Sequence, residues 1–459
     1  MSTTNSLSSL TGSLADSTSG STGTSGFGAG INVQQFVQFA LANQQATITS
    51  LQNQQTSLNS QSSELTKISN DINTLDDAVF ALKDPLGVLS SETATSSNSS
   101  VLGATATSTA TAGTHTITVN SLATTSSYYT DALASSSTTI SPGTFQIKVG
   151  TNAPVTVTVD STNNTLSQLA ASINSQNAGV TANVVQDANG YRLALVSNTS
   201  GAPGNITVSG NTTSLNFNSG VTGSKASLTV DGIPISSASN TVSNVINGVT
   251  LNLASPAPGT PVTLTVGPDT TQITAAINNL VSAYNTVIGE VNSQFTVASD
   301  GSGGGPLEAD NTLRDVQSQL LGAIAYSVTG NGGIVNLASL GVNVNNDGTL
   351  SVDSGALNSA LTSNYSAVQN FLQNTTTGFA QNLSQVLSNV NAAGVGLLSI
   401  DSQSVTNTSQ GLTQQIADLQ AALAVQQQNL TAVYSQVNVT LQQLPLLQSQ
   451  ISQQIAGLS

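Results

Sequence analysis

A coiled-coil repeat in the last part of the sequence is the feature that most constrains this chain. In 405–458 apolar residues recur three or four positions apart, as on a helix that buries one stripe against a partner. The positions predicted to pair are Leu412, Ile416, Leu419, Leu423, Leu430, Val433 and Val437. The repeat then skips to Leu441 and Leu444, and Pro445 predicts a kink or the end of the first half of the helix.

Residues 41–82 carry a second repeat of this kind, which makes them the predicted partner of the last helix. The pairing positions here are Ile48, Leu51, Leu58 and Leu65. Asp84-Pro85 is predicted to end the helix, because the residue before a proline is pushed out of the α region. Burial in an ordinary core of the same chain is the competing interpretation of these leucines, and their spacing leaves both open.

Between about 100 and 268 the apolar period changes to two. Segments such as THTITV and VTLTV alternate apolar with hydroxyl-bearing residues, which is typical of half-buried antiparallel strands. One short helix is predicted in NTLSQLAASINSQNAG, and a hairpin in LGVNVNNDGTLSVD. The predicted fold class is α+β, with the terminal helices paired as a coiled-coil stalk and a β-rich antiparallel head in the middle of the chain.

The shortage of charge excludes several functions. Only 6% of residues are charged, with 6 basic against 21 acidic side chains, so we expect neither nucleic-acid binding nor a polybasic membrane surface. No apolar run approaches the roughly 18 residues of a membrane span, and we expect no membrane insertion. The chain has no cysteine, which excludes disulfides and thiolate chemistry. The first residues form no basic and apolar leader, so no cleaved signal peptide is predicted.

The candidate chemical sites favour a structural interpretation. His115 is the single histidine, and one imidazole cannot assemble a ligand set or a catalytic triad. The segment 343–354 imitates a calcium loop but has Asn343 and Ser354 where an EF-hand needs acidic ligands. The glycine-rich segments 26–30 and 301–305 lack the lysine of a phosphate loop. We therefore expect no enzyme, no cofactor and no metal site.

Several segments together resemble the flagellar hook-associated protein 2 family, the filament cap. SGFGAGINVQQFV (25–37) is similar to the N-terminal entry of that family. The stretch 157–209 resembles the flagellin hook IN motif, with Ile173-Asn174 as its Ile-Asn pair. VDGIPISSASNTVSNVINGVTLNL (230–253) is similar to the family's most recognisable stretch, and 276–294 and 337–361 resemble its C-terminal region. The scarcity of charge on the terminal helices and about 20 extra residues at the start depart from the family pattern.

The resemblance implies a cap at the distal tip of the bacterial flagellar filament, which promotes the folding and insertion of exported flagellin and prevents its loss. It implies a homo-oligomeric ring, expected to be a pentamer, with flagellin, the hook-filament junction protein and a cytoplasmic export chaperone as partners. Export through the flagellar type III apparatus is expected. The residues expected to contact the filament or other subunits are Ile31, Val33, Phe36, Val37, Leu41, Leu441, Leu444, Leu447 and Ile451.

Five parts of the chain are predicted from these patterns. They are a disordered and then amphipathic N-terminus (1–40), a stalk helix (41–90), a head (91–268) with the IN-motif part at about 130–220 inserted in it, a helical stalk domain with a hairpin (269–404), and a C-terminal coiled-coil helix (405–459). An adhesive role of the exposed head is a further possibility. The alternatives are another axial flagellar protein, such as a flagellin or a junction protein, and a secreted surface adhesin.

Overall fold

A computed structural model describes residues 32–297 and 303–456. The chain divides into two compact units, one from the ranges 1–73, 286–320 and 386–459 and the other from 74–285 and 321–385. The predicted disordered start of the N-terminus and the glycine-rich segment 26–30 lie outside the described residues. The first unit is helical, and the second carries the antiparallel sheets together with shorter helical segments.

The described residues contain the following elements. The helices are α1 (Val33–Lys83), α2 (Leu166–Ser175), α3 (Thr270–Phe295), α4 (Asn311–Ile324), α5 (Ser354–Ser363), α6 (Tyr365–Gln373), α7 (Phe379–Asn391) and α8 (Leu397–Ala456). Residues 125–221 are inserted between two strands of one sheet. The strands before this insertion are β1 (Glu92–Ser96), β2 (Leu102–Ala106) and β3 (Gly113–Ser121). Those of the insertion are β4 (Thr125–Thr130), β5 (Gly143–Val149), β6 (Val155–Val159), β7 (Val180–Asp187), β8 (Gly190–Ser200), β9 (Ile206–Ser209) and β10 (Phe217–Val221). The remaining strands are β11 (Ala226–Val230), β12 (Ile233–Ser237), β13 (Thr241–Ile246), β14 (Val249–Leu253), β15 (Val262–Pro268), β16 (Val342–Val344) and β17 (Leu350–Val352).

The two long helices are longer than their heptads predicted. The predicted helix 41–82 and the apolar cluster before it form one helix, α1, and the last helix begins at Leu397 rather than near 405. Of the two outcomes predicted at Pro445, a kink or an end of the first half of the helix, the end is wrong, because α8 continues through this residue. A proline removes one N–H donor from a helix, and the leucines and glutamines around Pro445 are good helix formers that sustain the rest.

Hydroxyl groups in these helices bond to the helix itself. Thr47 and Thr56 of α1, and Thr413 and Thr431 of α8, each donate to the carbonyl oxygen four residues earlier at 2.7–3.0 Å. Such bonds let a helix carry many Ser and Thr residues without leaving their hydroxyls in need of another partner. The outer sides of the long helices are therefore polar mainly through uncharged side chains, and α1 in addition exposes Lys67, Asp76 and Asp77.

The sheets of the second unit build two of its hydrophobic cores. A five-stranded sheet in the order β1-β15-β3-β11-β12 and a three-stranded sheet β13-β14-β2 share the first core, which includes Leu102, Ile117, Leu228, Leu251 and Leu264. Residues 125–221 lie between β3 and β11 in the sequence and build the second core from the sheets β10-β4-β8-β7 and β6-β5-β9 with α2. All named strand pairs are antiparallel, as the alternating pattern predicted.

The lone histidine anchors a turn of the first core. His115 Nδ1 lies 2.8 Å from Asp231 Oδ2, and the other carboxylate oxygen accepts a 2.8 Å hydrogen bond from the Thr116 N–H. Asp231 and Gly232 both have positive φ, which suits the tight turn that joins β11 to β12. The hydrogen bond from His115 lowers the pKa of Asp231, with the Thr116 N–H as a second cause. The histidine thus holds this hairpin against β3.

The segment 343–354, whose sequence resembles a calcium loop, belongs to a hairpin, as predicted. Strands β16 and β17 pair antiparallel, and Asp347 accepts hydrogen bonds from the backbone N–H and the hydroxyl of Thr349 within the turn. The carboxylate is therefore satisfied by its own turn, and bonds from Thr349 lower its pKa.

The Ile-Asn pair quoted for the IN motif has a clear structural reason. Ile173 is fully buried in the second core. The Asn174 amide donates to the Ala182 carbonyl at 2.9 Å and accepts from the Ala182 N–H at 2.7 Å. Because Ala182 lies on β7, this one side chain joins α2 to the neighbouring sheet by satisfying both polar groups of a buried residue.

We expect the substitution Asn174→Ala to destabilise the second unit by about 1–3 kcal/mol, because it leaves two backbone groups of Ala182 without their partner. Denaturant unfolding followed by circular dichroism measures this change. Asn152→Ala, at an exposed position before β6, is the matched control and should change the free energy of unfolding little. Equal effects of the two substitutions would show that the Asn174 bonds contribute nothing particular.

Candidate subunit interface on the terminal helices

The first unit joins α1 and α8 in an antiparallel pair. Gln55 Nε2 donates to Thr413 Oγ1 at 2.5 Å, and the Ser409 hydroxyl donates to Asn59 Oδ1 at 3.1 Å. Nearer the start of α1, the rings of Phe36 and Tyr434 lie 5.9 Å apart. Residue numbers thus fall on α8 as they rise on α1, and the two repeats face each other over most of their length.

The contacts between these helices are mainly neutral. The contacts of α1 with α7 are of the same kind, since Asn391, the last residue of α7, donates to the Ser69 carbonyl at 2.9 Å and to Asn73 Oδ1 at 2.8 Å. The ion pair Lys67–Glu290, at 2.7 Å, joins α1 to α3 rather than to α8. Neutral contacts respond little to salt, in contrast to exposed ion pairs.

The residues predicted to pair in the stalk occupy a range of environments. Ile48, Leu65 and Ile416 are buried, at 7%, 1% and 7% exposure. The half-buried members are Leu51, Leu58, Leu412, Leu419, Leu423 and Leu430. Val433 and Val437 are exposed at 57% and 43%. The antiparallel register explains this difference, because these two valines lie beside the first turn of α1, where the described part of that helix begins.

The residues predicted to contact other subunits also differ in their exposure to solvent. Val37 and Leu41 are buried, Val33 and Leu441 are half-buried, and Phe36 is 40% exposed. The exposed members on α8 are Leu444, Leu447 and Ile451. Ile31 lies outside the described residues. A surface for another protein is therefore available mainly on α8, since Val37 and Leu41 are already covered within the chain.

The exposed end of α8 forms one continuous apolar stripe, which we call the α8 seam. Its members are Leu444, Leu447, Ile451 and Ile455, exposed by 46%, 52%, 54% and 64%. The spacing of three, four and four residues continues the repeat from the paired part of the helix. Next to it an open groove of about 310 Å³ is lined by Val433, Gln436, Val437, Thr440 and Leu441. No titratable group lies between Asp418 and Ala456 apart from Tyr434.

A pair of carboxyl groups lies at the other end of α8. Asp401 faces Asp310, whose carboxylate accepts a 3.0 Å bond from the Leu313 N–H at the start of α4. Asp401 Oδ2 is buried and has no hydrogen-bond partner. Burial is the main cause that raises the pKa of Asp401 from an ordinary 3.8 to about 6, and contact with Asp310 is the second cause.

This shift makes the first unit more stable in mild acid. The folded state binds a proton more tightly than the unfolded chain, so stability falls as pH rises from about 3.8 to about 6 and is then level. We expect Asp401→Asn to stabilise the protein at pH 8 by about 1 kcal/mol after allowance for solvent screening, and to have little effect near pH 4.

Urea unfolding of both proteins at pH 4 and pH 8 measures this difference. The matched control is Asp418→Asn, an exposed acid further along α8 that accepts a bond from Gln414. An Asp401→Asn protein that gains no stability at pH 8 would contradict the proposed repulsion.

Sequence reasoning missed the polar part of this interface. The bonds from Gln55 to Thr413 and from Ser409 to Asn59 could not be chosen from a sequence so rich in equivalent side chains. Ile455 and the pairing of Asp310 with Asp401 were also missed. The continuing heptad could have indicated Ile455, whereas no sequence signal joins the two acids.

No cluster of three or more His, Cys, Asp or Glu side chains in 32–297 and 303–456 could hold a metal ion. Among the helices of the same residues, none combines the length and apolar character needed to cross a bilayer.

In the described residues two long antiparallel helices from the two ends of the chain pair with each other, and the sequence between these helices forms antiparallel sheets. Family models match in the same order along the chain: the N-terminus of flagellar hook-associated protein 2 at 29–126, the flagellin hook IN motif at 144–199, and the C-terminus of flagellar hook-associated protein 2 at 223–445. The chain belongs to the flagellar hook-associated protein 2 family. The resemblance that the sequence suggested is thereby confirmed.

Two relatives and one solved structure illustrate the similarity. The chain is 31% identical over 402 residues to B-type flagellar hook-associated protein 2 of Pseudomonas aeruginosa, which covers 81% of the chain and 84% of the relative. It is 29% identical over 464 residues to flagellar hook-associated protein 2 of Escherichia coli K12, covering 94% and 97%. The crystal structure of the flagellar cap protein FliD D1-D2-D3 domains from Escherichia coli matches with a TM-score of 0.56 at 27% identity, covering 75% of this chain and 99% of that chain.

Proposed function

We propose that this protein caps the distal tip of a bacterial flagellar filament. The observation that carries the proposal is the family membership over nearly the whole chain, and the crystal structure it resembles is named a flagellar cap protein. The α8 seam provides a physical route to this role, because an exposed apolar stripe at the end of a long helix suits binding to other helical subunits. The role is structural, without catalysis.

The composition of the paired helices favours contacts that can be released. Charged residues beside a coiled-coil seam select one partner and one register. The α8 seam has neutral neighbours instead, such as Gln448 and Ser452. We infer that a cap subunit binds flagellin in one arrangement, releases it after insertion of a new subunit and binds again, so that exported flagellin folds beneath the cap and is not lost.

We further propose that the working form is a homo-oligomeric ring, with a pentamer as the expected size. Flagellin and the hook-filament junction protein would meet the terminal helices. Export would use the flagellar type III apparatus, and a cytoplasmic chaperone would cover α8 before export. The exposed apolar residues of α8 support this last step, since they need protection from unwanted association in the cytoplasm.

Deletion of the gene tests the cap proposal. We expect cells with hooks but no filaments, and monomeric flagellin released into the medium, because exported subunits would have no closed tip under which to fold. Restoring the gene should restore filaments. Filaments of normal length in the deletion strain would refute the proposal.

The α8 seam can be tested by Leu444→Ser, Leu447→Ser and Ile451→Ser in one protein. We expect export to continue and flagellin to be lost into the medium at least ten-fold above the parent, because each exposed leucine or isoleucine contributes about 1.5–3 kcal/mol when buried against a partner. The measurement is flagellin in the medium relative to flagellin in filaments.

The matched control changes three exposed apolar residues of the head instead, namely Val185, Val196 and Val221, each to serine. This protein should assemble filaments normally. A wild-type level of assembly by the α8 variant would show that the seam does not carry the subunit contacts.

Adhesion by the head is a second candidate function. Tyr129, Val185 and Val196 lie exposed on the outer face of the sheet β10-β4-β8-β7, and Arg192 there lies over the Tyr129 ring at 5.6 Å. Aromatic and aliphatic side chains on an open sheet face are able to bind another surface. Normal filaments together with lost attachment in the head variant would favour this role beside the cap.

A further inference from the structure

One exposed leucine of the second unit lies on a rigid turn. Leu86 follows the end of α1 and is 85% exposed, more than any other large apolar side chain of the described residues. Its backbone N–H donates to Asp84 Oδ1 at 2.9 Å. The Asp84 carbonyl accepts from the Gly87 N–H at 3.0 Å and from Gln373 Nε2 at 2.7 Å. Because these bonds hold the turn, Leu86 stays in solvent, as an anchor for another molecule does.

The same unit carries an open apolar groove beside the edge strand β12, which we call the β12 groove. It has a volume of about 420 Å³ and lies between the β11–β12 hairpin, the start of β3 and the turn that joins β13 to β14. Its apolar lining includes Val230, Ile233, Ile235, Val245 and Ile246. Ile233 is 62% exposed. An exposed isoleucine on an edge strand next to an apolar groove indicates a surface that another chain can cover.

Leu86 and the β12 groove belong to opposite edges of one sheet. In the order β1-β15-β3-β11-β12, β1 and β12 are the edge strands. Glu92, the first residue of β1, pairs with Pro268 at the end of β15. Gly113, the first residue of β3, pairs with Val266 of the same strand, and the β11–β12 turn lies at this end too. The start of β1 and the groove thus share one end of the sheet and are four strand spacings apart, about 19 Å.

We propose that Leu86 of one subunit binds the β12 groove of the next subunit. This contact rests on the homo-oligomeric ring proposed above and specifies two surfaces that join it. A contact between two different surfaces of identical chains closes a ring when the rotation per subunit fits. Opposite edges of one sheet suit such a contact, because a subunit offers its leucine at one edge and receives its neighbour's leucine at the other. Phe80, in the last turn of α1, is 61% exposed and adds apolar surface at this position.

The chemistry of the two surfaces favours an apolar contact. The charged group at the rim of the groove, Asp231, already bonds to His115 Nδ1 at 2.8 Å and to the Thr116 N–H, so it needs no partner from another subunit. Burial of one leucine gives a weak contact, and exposed ion pairs do not add to it. In a closed ring every subunit makes this contact twice, so that weak contacts are sufficient together.

Disulfide cross-linking tests the contact directly. The chain has no cysteine, so Leu86→Cys and Ile233→Cys each introduce a unique thiol at an exposed position. A disulfide requires Cα atoms within about 7 Å, so two cysteines at opposite edges of one molecule cannot join. When the two single variants are mixed and oxidised, we expect covalent dimers at least ten-fold above either variant alone. A protein with both substitutions should give a ladder that ends at the number of subunits in the ring.

The matched control mixes Leu86→Cys with Val185→Cys, which places the second thiol at an exposed valine of β7 outside the groove. This mixture should give no more dimer than its single variants. Absence of cross-linking between Leu86→Cys and Ile233→Cys would overturn the proposal. Equal cross-linking of Leu86→Cys alone would overturn it as well, because it would indicate a two-fold contact between identical surfaces.

Sedimentation gives a second readout without cysteines. Leu86→Ser should weaken self-association at least ten-fold, because the buried leucine is lost from the contact, whereas Val185→Ser should leave it unchanged. Self-association that is unchanged by Leu86→Ser would refute this contact and leave the ring in place. A parent protein that stays monomeric would refute the contact and the ring together. Both measurements use purified protein, so the cap function is tested separately by the gene deletion.

Discussion

The antiparallel contact between α1 and α8 is the interaction on which the first unit depends. The contact brings together residues more than three hundred positions apart, such as Gln55 and Thr413, and its apolar centre includes Leu65 and Ile416. A helix of this length with so few apolar residues away from its stripe is not stable alone in water, since most helix stability in proteins comes from packing one face. Each helix therefore gains stability from the other, and α1 gains more from its contacts with α3 and α7.

The contact between α1 and α8 uses uncharged polar groups, which agrees with the low content of charged residues in the chain. Amides and hydroxyls join the helices, and the threonine hydroxyls that face solvent bond to their own backbone. In the second unit, the strands carry threonine and serine on their outer sides and bury Val, Leu and Ile. Because both units carry uncharged polar side chains on their outer sides, the surface of the protein has few titratable groups, and salt and pH act on a small number of sites.

Those parts of the fold that follow from periodicity could be predicted from the sequence, and those that follow from register could not. The heptads indicated both long helices, the period of two indicated the strands, and the hairpin at Asp347-Gly348 followed from turn chemistry. The exposure of Val433 and Val437 depends on where α1 begins opposite them, which no local pattern reveals. Of the two outcomes predicted at Pro445, the helix end was wrong because local propensity was overcome by the rest of a long helix. In the candidate interface, the apolar stripe was predictable, whereas Tyr434 against Phe36 required the three-dimensional register.

Two acidic residues of the first unit, Asp71 and Asp401, have pKa values raised by their surroundings. Asp71 has a pKa raised by burial and then by Glu290, and Asp401 has a pKa raised by burial and then by Asp310. Both carboxyl groups sit in the helical unit, away from the neutral α8 seam. Acid therefore relieves repulsion within the helices without titrating any group of the α8 seam. The residues that set the pH dependence of the helix pair thus differ from those of the seam, and under the proposed cap function this separation would let a subunit release its neighbours without loss of its own helix pair.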